Sequence, residues 1–189
     1  MKAIYTESFK TIMEARYCIL FSLILYSGSV IAGWLYGGEL SFLEDQVRKL
    51  AEQFADKSAP VFISKVFARN LLATYLVMCI FSFFGVFPSF SALFNGLLLG
   101  WIVMKFFGIS ESNFLLMLIP HGAFEWPAMM IGWGIGIWRG IGYRFSREQT
   151  TYFQRWIKAN KVFFTIVVPL LIVAAIIEGR FHIFGNFNR

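Results

Sequence analysis

Residues 113–138 read NFLLMLIPHGAFEWPAMMIGWGIGIW. The run holds one imidazole and one carboxylate in an otherwise uncharged stretch. It is long enough to cross a bilayer, whose hydrocarbon core of about 30 Å takes roughly 20 helical residues. Four further runs are comparably apolar, at 17–36, 70–88, 91–107 and 162–180. Lipid offers no water to satisfy backbone amides and carbonyls, so each run is predicted to be helical. The composition agrees, with 58% hydrophobic residues, 15% charged residues and a mean hydropathy of +0.64, where a soluble domain has about 25% charged residues. The expected fold is all-α: a polytopic transmembrane helical bundle of about five spans, forming a single integral membrane domain over residues 1–189. At this span length the runs occupy about half the chain, leaving too little for a separate soluble catalytic domain. An aromatic content of 19% excludes a disordered chain. Cys18 and Cys79 both lie in apolar runs, so neither a disulfide framework nor a CxxC motif is available.

Basic residues set the expected orientation. The segment 139–161 carries Arg139, Arg144, Arg147, Arg155, Lys158 and Lys161 against Glu148, and loops rich in Lys and Arg stay cytoplasmic. Five spans then put the N-terminus, with Lys2, Lys10 and Arg16, in the cytoplasm and the C-terminus outside a cell membrane. The first run follows basic residues as a signal peptide would, but it is long and has no A-x-A-like cleavage site, so it reads as a retained anchor. The net charge of +6 is accounted for by this asymmetry, and nucleic acid is not an expected partner.

The outer loop 37–69 mixes both signs of charge. Leu43, Val47, Leu50 and Phe54 recur there at helical spacing, predicting an extracytoplasmic amphipathic helix over 40–57. That helix suits either outer headgroups or a partner protein. In the basic inner loop, Ser146 and Gln149 form a capping-box pattern ahead of a helix that could run into the fifth span. Its Tyr152, Phe153, Trp156 and Ile157 interleave with Arg155 and Lys158, which suits anionic lipid headgroups.

The fourth run holds the chemistry. Ionisable groups inside a span are costly and usually face the bundle interior or a watery cavity. His121 and Glu125 are four residues apart, so a helix would put them on one face. Pro120 and Pro127 each remove a backbone donor, and Gly122 adds no side chain. The fourth helix is therefore expected to be broken here, as helices are at transporter binding sites. Glu178, at the outer end of the fifth span, and Asn70, at the start of the second, fall on the same side and could converge with His121 and Glu125 in an intramembrane polar centre. Asn95, in the third span, is a further candidate. The centre serves either as a hydrogen-bonded plug fixing helix register or as a functional site. His121, Glu125 and Glu178 could hold a divalent metal; no other cofactor and no nucleophile constellation is legible. Gly96 and Gly100, and then Gly132, Gly136 and Gly140, repeat every four residues, an interval that lets helix backbones approach closely. They pack either this bundle or a homodimer.

Three stretches together resemble a known family. They are Asn95-Gly96-Leu97-Leu98-Leu99-Gly100, Ile119-Pro120-His121-Gly122-Ala123-Phe124-Glu125-Trp126-Pro127-Ala128 and Ala174-Ala175-Ile176-Ile177-Glu178. The match runs from about Asn70 to Glu178 and resembles the stage II sporulation protein M family. That resemblance implies a polytopic helical protein with no established enzymatic activity of its own, similar to a sporulation member that looks like a membrane scaffold working with peptidoglycan-degrading partners on the outer side of its membrane. The expected function is accordingly an integral membrane scaffold that docks a membrane or extracytoplasmic protein. The alternatives are a small ion or proton transporter using the His-Glu pair, and a metal-dependent membrane enzyme.

Overall fold

A computed structural model describes residues 2–40, 59–106, 111–141 and 150–185, together with the single residues 44 and 144; within these, the side chains at 40, 59, 62, 106, 111–121 and 178–185 lie outside the described set. The fold is an all-α bundle, with no strand among the described residues. Helix α1 spans Lys2–Leu35 and is followed by a 3-10 turn, Gly37–Leu40. Helix α2 spans Ala59–Tyr75 and widens into a π-helical turn, Leu76–Ile80. After the turn Phe83–Gly85 comes α3, Val86–Phe106, and then α4, Glu111–Ile141. Helix α5, Tyr152–Val162, passes through a second π-helical segment, Phe163–Val167, into α6, Val168–Gly185.

Among the described residues, four stretches are long and apolar enough to cross a membrane: Lys2–Leu35, Ile63–Ile80, Phe83–Lys105 and Tyr152–Ile177. The run 113–138, expected as the fourth span, falls in helix α4, whose side chains up to His121 lie outside the described set. Where its side chains are described, α4 is enclosed by the rest of the bundle. Residues 132–139 are all buried, and α1, α2, α3, α5 and α6 all pack against α4. A helix covered by protein need not meet lipid, so its surface can be glycine, tryptophan and even arginine.

Glycine is what allows that position. A Cβ built on Gly134 would lie 2.4 Å from Ile19 Cα of α1. One on Gly132 would lie 2.6 Å from Thr74 Cγ2 of α2, and one on Gly136 would lie 2.8 Å from the Val77 carbonyl oxygen and 2.7 Å from Pro88 Cγ. At Gly140 the same atom would meet the Ser82 carbonyl oxygen at 2.1 Å. A second close pair joins α1 to α3, side by side and parallel. There a Cβ on Gly100 would fall 2.0 Å from the Val30 carbonyl oxygen, and one on Gly33 would fall 2.3 Å from that of Leu97. Gly96 stands over Ser29 and Tyr26 of α1 in the same way. All five of the repeating glycines therefore lie inside helix contacts of this one chain.

The expected break in the fourth helix is corrected. Residues 111–141 form a single α-helix through Pro120, Gly122 and Pro127. A proline in a membrane helix forfeits one donor, which neighbouring helices and local adjustment can absorb, so the lost bond leaves the element uninterrupted. The ladder is disturbed elsewhere, at the π-helical turns 76–80 and 163–167. The boundary between the second and third spans also moves. Pro88 is in the first turn of α3, where its missing N–H is no loss. The chain reverses earlier, at Phe84 and Gly85, with φ of 46° and 75°. Glycine tolerates that geometry freely; Phe84 is strained by it.

The start of α5 is capped by Thr151 and Gln154. The Thr151 hydroxyl accepts from the Gln154 amide at 3.2 Å, and the Gln154 side chain accepts from the Thr151 amide at 2.9 Å. The capping-box pattern is thus used five residues later than expected; Ser146 and Gln149 lie outside the described residues. So does the amphipathic stretch 40–57, apart from Leu40 and Glu44. Glu44 pairs with Lys105 at the end of α3 at 3.0 Å.

Candidate functional site

Helices α2 and α4 run parallel, with Thr74 beside Gly132 and Val77 beside Gly136. Further along the same interface, Asn70, one turn before Thr74, meets Glu125, two turns before Gly132. The Asn70 Nδ2 donates to Glu125 Oε1 at 2.9 Å, and the glutamate is 8% exposed. A buried carboxylate without donors would be severely costly. The amide that meets it comes from a neighbouring helix, 55 positions away in sequence.

Asn95 does not join this pair. Its Nδ2 donates to the Ser91 carbonyl at 2.8 Å within its own helix. Ser91 Oγ in turn accepts from Trp133 Nε1 of α4 at 3.1 Å, and the Trp133 ring packs 5.5 Å from that of Tyr26 of α1. Asn95 thus bonds within α3 beside the Ser91–Trp133 contact, whereas Glu125 meets Asn70 of α2. The side chains of His121 and Glu178 lie outside the described residues, but their backbones do not. In the unbroken α4, His121 is one turn from Glu125 and on the same face. Helix α4 runs antiparallel to α5 and α6, and Ala128 of α4 and Leu171 of α6 both belong to the main apolar cluster. His121 and Glu178 each lie seven residues beyond those two positions, toward the same end. Among the described residues, no group of three metal-ligating side chains gathers.

Asn70→Leu removes the donor to Glu125 Oε1. It is expected to destabilise the protein in detergent by about 1.5–3 kcal/mol, the contribution of a hydrogen bond to a charged group. That exceeds the average interhelical membrane hydrogen bond of about 0.6 kcal/mol. Glu125→Leu added to Asn70→Leu should return part of the loss, and strictly additive losses in thermal unfolding would contradict the pairing.

A second constellation lies at the other end of α4, and it corrects the expectation that Arg155, interleaved with aromatics, meets lipid headgroups. Arg139 is 2% exposed and Arg155 4%. Arg139 Nη1 donates to the Met78 carbonyl at 3.1 Å, and Nη2 donates to the Tyr152 hydroxyl, which also contacts Ser82 Oγ at 3.1 Å. Arg155 Nε donates to the Arg139 carbonyl at 3.1 Å, and its Nη1 donates to the Thr150 carbonyl. Carbonyls near a helix C-terminus lack intrahelical partners and attract cations. Arg139 thus serves the C-terminal end of α2, and Arg155 serves that of α4. The signal in the sequence was the placement of Arg139 between Gly136 and Gly140, inside the glycine repeat that marks the buried face.

The chain is similar to an uncharacterized protein of Methanocaldococcus jannaschii, with 26% identity over 112 residues, covering 55% of this chain and 50% of that protein. It spans about half the length of the curated relative it matches. No solved structure matches. The family model described as stage II sporulation protein M matches residues 22–181, from within α1 to within α6, a stretch that holds both the Asn70–Glu125 pair and the two capping arginines. This chain therefore belongs to the stage II sporulation protein M family, and it is a membrane protein.

Proposed function

We propose that this protein is an integral membrane scaffold that docks an extracytoplasmic protein through the loop 37–69 and the adjoining helix ends. The observation that carries the reading is the packing of α4. Its glycines pack so closely on α1 and on the α2–α3 turn that an added Cβ would lie 2.4 Å from Ile19 Cα at Gly134 and 2.1 Å from the Ser82 carbonyl oxygen at Gly140. Close-packed interfaces resist continuous deformation. A helix locked on several sides suits a rigid platform better than a carrier that must alternate between two arrangements. In this reading the Asn70–Glu125 bond fixes register between α2 and α4, with His121 and Glu178 as further members of the same polar centre.

Orientation follows from charge. The two ion pairs Lys158–Glu14 and Lys161–Glu7, at 3.0 and 2.7 Å, hold the N-terminal part of α1 against α5, so the basic segment 139–161 and the N-terminus share one end. Loops rich in Lys and Arg remain cytoplasmic; the loop 37–69 and the C-terminus then face outward.

Affinity capture of the full chain from cross-linked native membranes tests docking. The unaltered protein should recover an extracytoplasmic protein that Arg48→Ala/Lys49→Ala recovers less well. Recovery of no loop-dependent partner would overturn the proposal. So would proton or divalent-ion flux in proteoliposomes that disappears in Glu125→Gln.

A further inference from the structure

The N-terminal part of α1, residues 2–17, has two faces of opposite character. At 3.6 residues per turn, Glu7, Ser8, Thr11, Glu14 and Ala15 fall on one side, and Ser8, Thr11 and Ala15 are buried. Both acids of this segment lie on that side. Each is held by a lysine of α5, Glu7 by Lys161 and Glu14 by Lys158. The opposite side carries Tyr5, Phe9, Met13 and Tyr17, exposed at 54, 63, 45 and 64%. Among these aromatics stand Lys2, Lys10 and Arg16, all exposed. The Arg16 guanidinium lies over the Tyr17 ring, 4.6 Å from its centroid.

The crossing of α1 and α5 thus turns the acids inward and leaves an outward surface that is basic and aromatic. Beside it, Phe153 of α5 is 65% exposed and stacks on Trp156 at 5.6 Å. No water-facing helix needs so much exposed ring surface, and no helix among lipid tails would carry three cations. Mixed basic and aromatic faces belong at the headgroup level of a bilayer. Here the bilayer is an obligatory neighbour, because α1 is free of charge from Tyr17 to its end at Leu35 and enters the membrane directly from this segment.

We propose that the outward face of α1 residues 2–17 binds the anionic phospholipids of the bilayer that holds the protein. Lys2, Lys10 and Arg16 supply the charge, and Tyr5, Phe9 and Tyr17 enter the headgroup layer. All of this face precedes residue 22, where the family match begins, so it is a property of this chain beyond the family core and independent of the scaffold reading.

The test uses the full chain purified in mixed micelles of phosphatidylglycerol and phosphatidylcholine, with co-purifying lipids counted by mass spectrometry. The unaltered protein should carry phosphatidylglycerol in excess over the micelle. Each basic residue removed from the set Lys2→Gln, Lys10→Gln and Arg16→Gln should lower that preference by roughly fivefold, from about 1 kcal/mol per basic residue near an anionic surface. The preference should fall with added salt. All three positions are exposed, so folding is retained. Lys105→Gln, at the opposite end, should leave the preference unchanged. An unchanged ratio in the triple variant, an equal loss in Lys105→Gln, or displacement of the lipid by soluble glycerol phosphate would each overturn the proposal.

Discussion

Gly100→Ala is expected to separate α1 from α3 and to abolish the native bundle, although it adds one methyl group. The added carbon would stand 2.0 Å from the Val30 carbonyl oxygen and 2.8 Å from the Trp34 amide nitrogen. Both obstacles are backbone, so no side-chain rotation relieves them. An extra methylene in a packed core typically costs about 1–3 kcal/mol when side chains can yield; here the cost should lie at or above the top of that range. Gly28→Ala is the matched control on the facing helix. Nothing lies within 4 Å of its Cβ position, and alanine is favoured over glycine in a helix by about 0.8–1 kcal/mol. It should leave the thermal midpoint in detergent unchanged or slightly raised. Equal midpoints for Gly100→Ala and Gly28→Ala would show that the backbone contact is not what holds the pair together.

The glycine interval was legible because it is a property of one helix at a time. Gly96 and Gly100 share a face wherever α3 goes, and the sequence contains that spacing. Span positions were legible for the same reason, since twenty apolar residues need no partner to be read. What pairs with what was not. Asn70 and Glu125 are 55 positions apart, and only the register of α2 against α4 brings them together. Asn95 carries the same amide, yet its donor is taken by Ser91 one turn away.

Pro120 and Pro127 misled because a proline is read by the bond it removes. Helix α4 keeps its remaining bonds through both positions. The π-helical turns went unread for the converse reason: Leu76–Ile80 and Phe163–Val167 contain no proline or glycine. Widening there is a matter of packing, with Tyr75 set edge-on to Phe163 at 4.9 Å and bonded to Asn160 at 3.2 Å.

The arginines carry the other large effect. Arg139→Met is expected to destabilise the Arg139–Tyr152 end of the bundle by about 3 kcal/mol or more, although it keeps much of the side-chain bulk. Hydrogen bonds involving a charged group contribute about 1.5–3 kcal/mol each, and this side chain makes two, to the Met78 carbonyl and the Tyr152 hydroxyl. The Met78 carbonyl is the vulnerable one. The amide of Phe81 is spent on the Leu76 carbonyl at 2.7 Å, and the chain then turns away, so the donor comes from α4. Arg139→Lys should rescue little, because an ammonium lacks the planar fork that reaches two acceptors at once. Tyr152→Phe should cost less than either, since it leaves the Met78 bond in place. Thiol labelling separates a local effect from global unfolding. Cys79 is buried beside Met78, and in a Cys18→Ser background its labelling rate reports opening of the α2 end directly. Faster labelling of Cys79 in Arg139→Met at temperatures well below the unfolding midpoint is the expected result. A rate equal to that of the unaltered residue would mean that the α2 terminus is held by the packing of Gly140 against Ser82 alone.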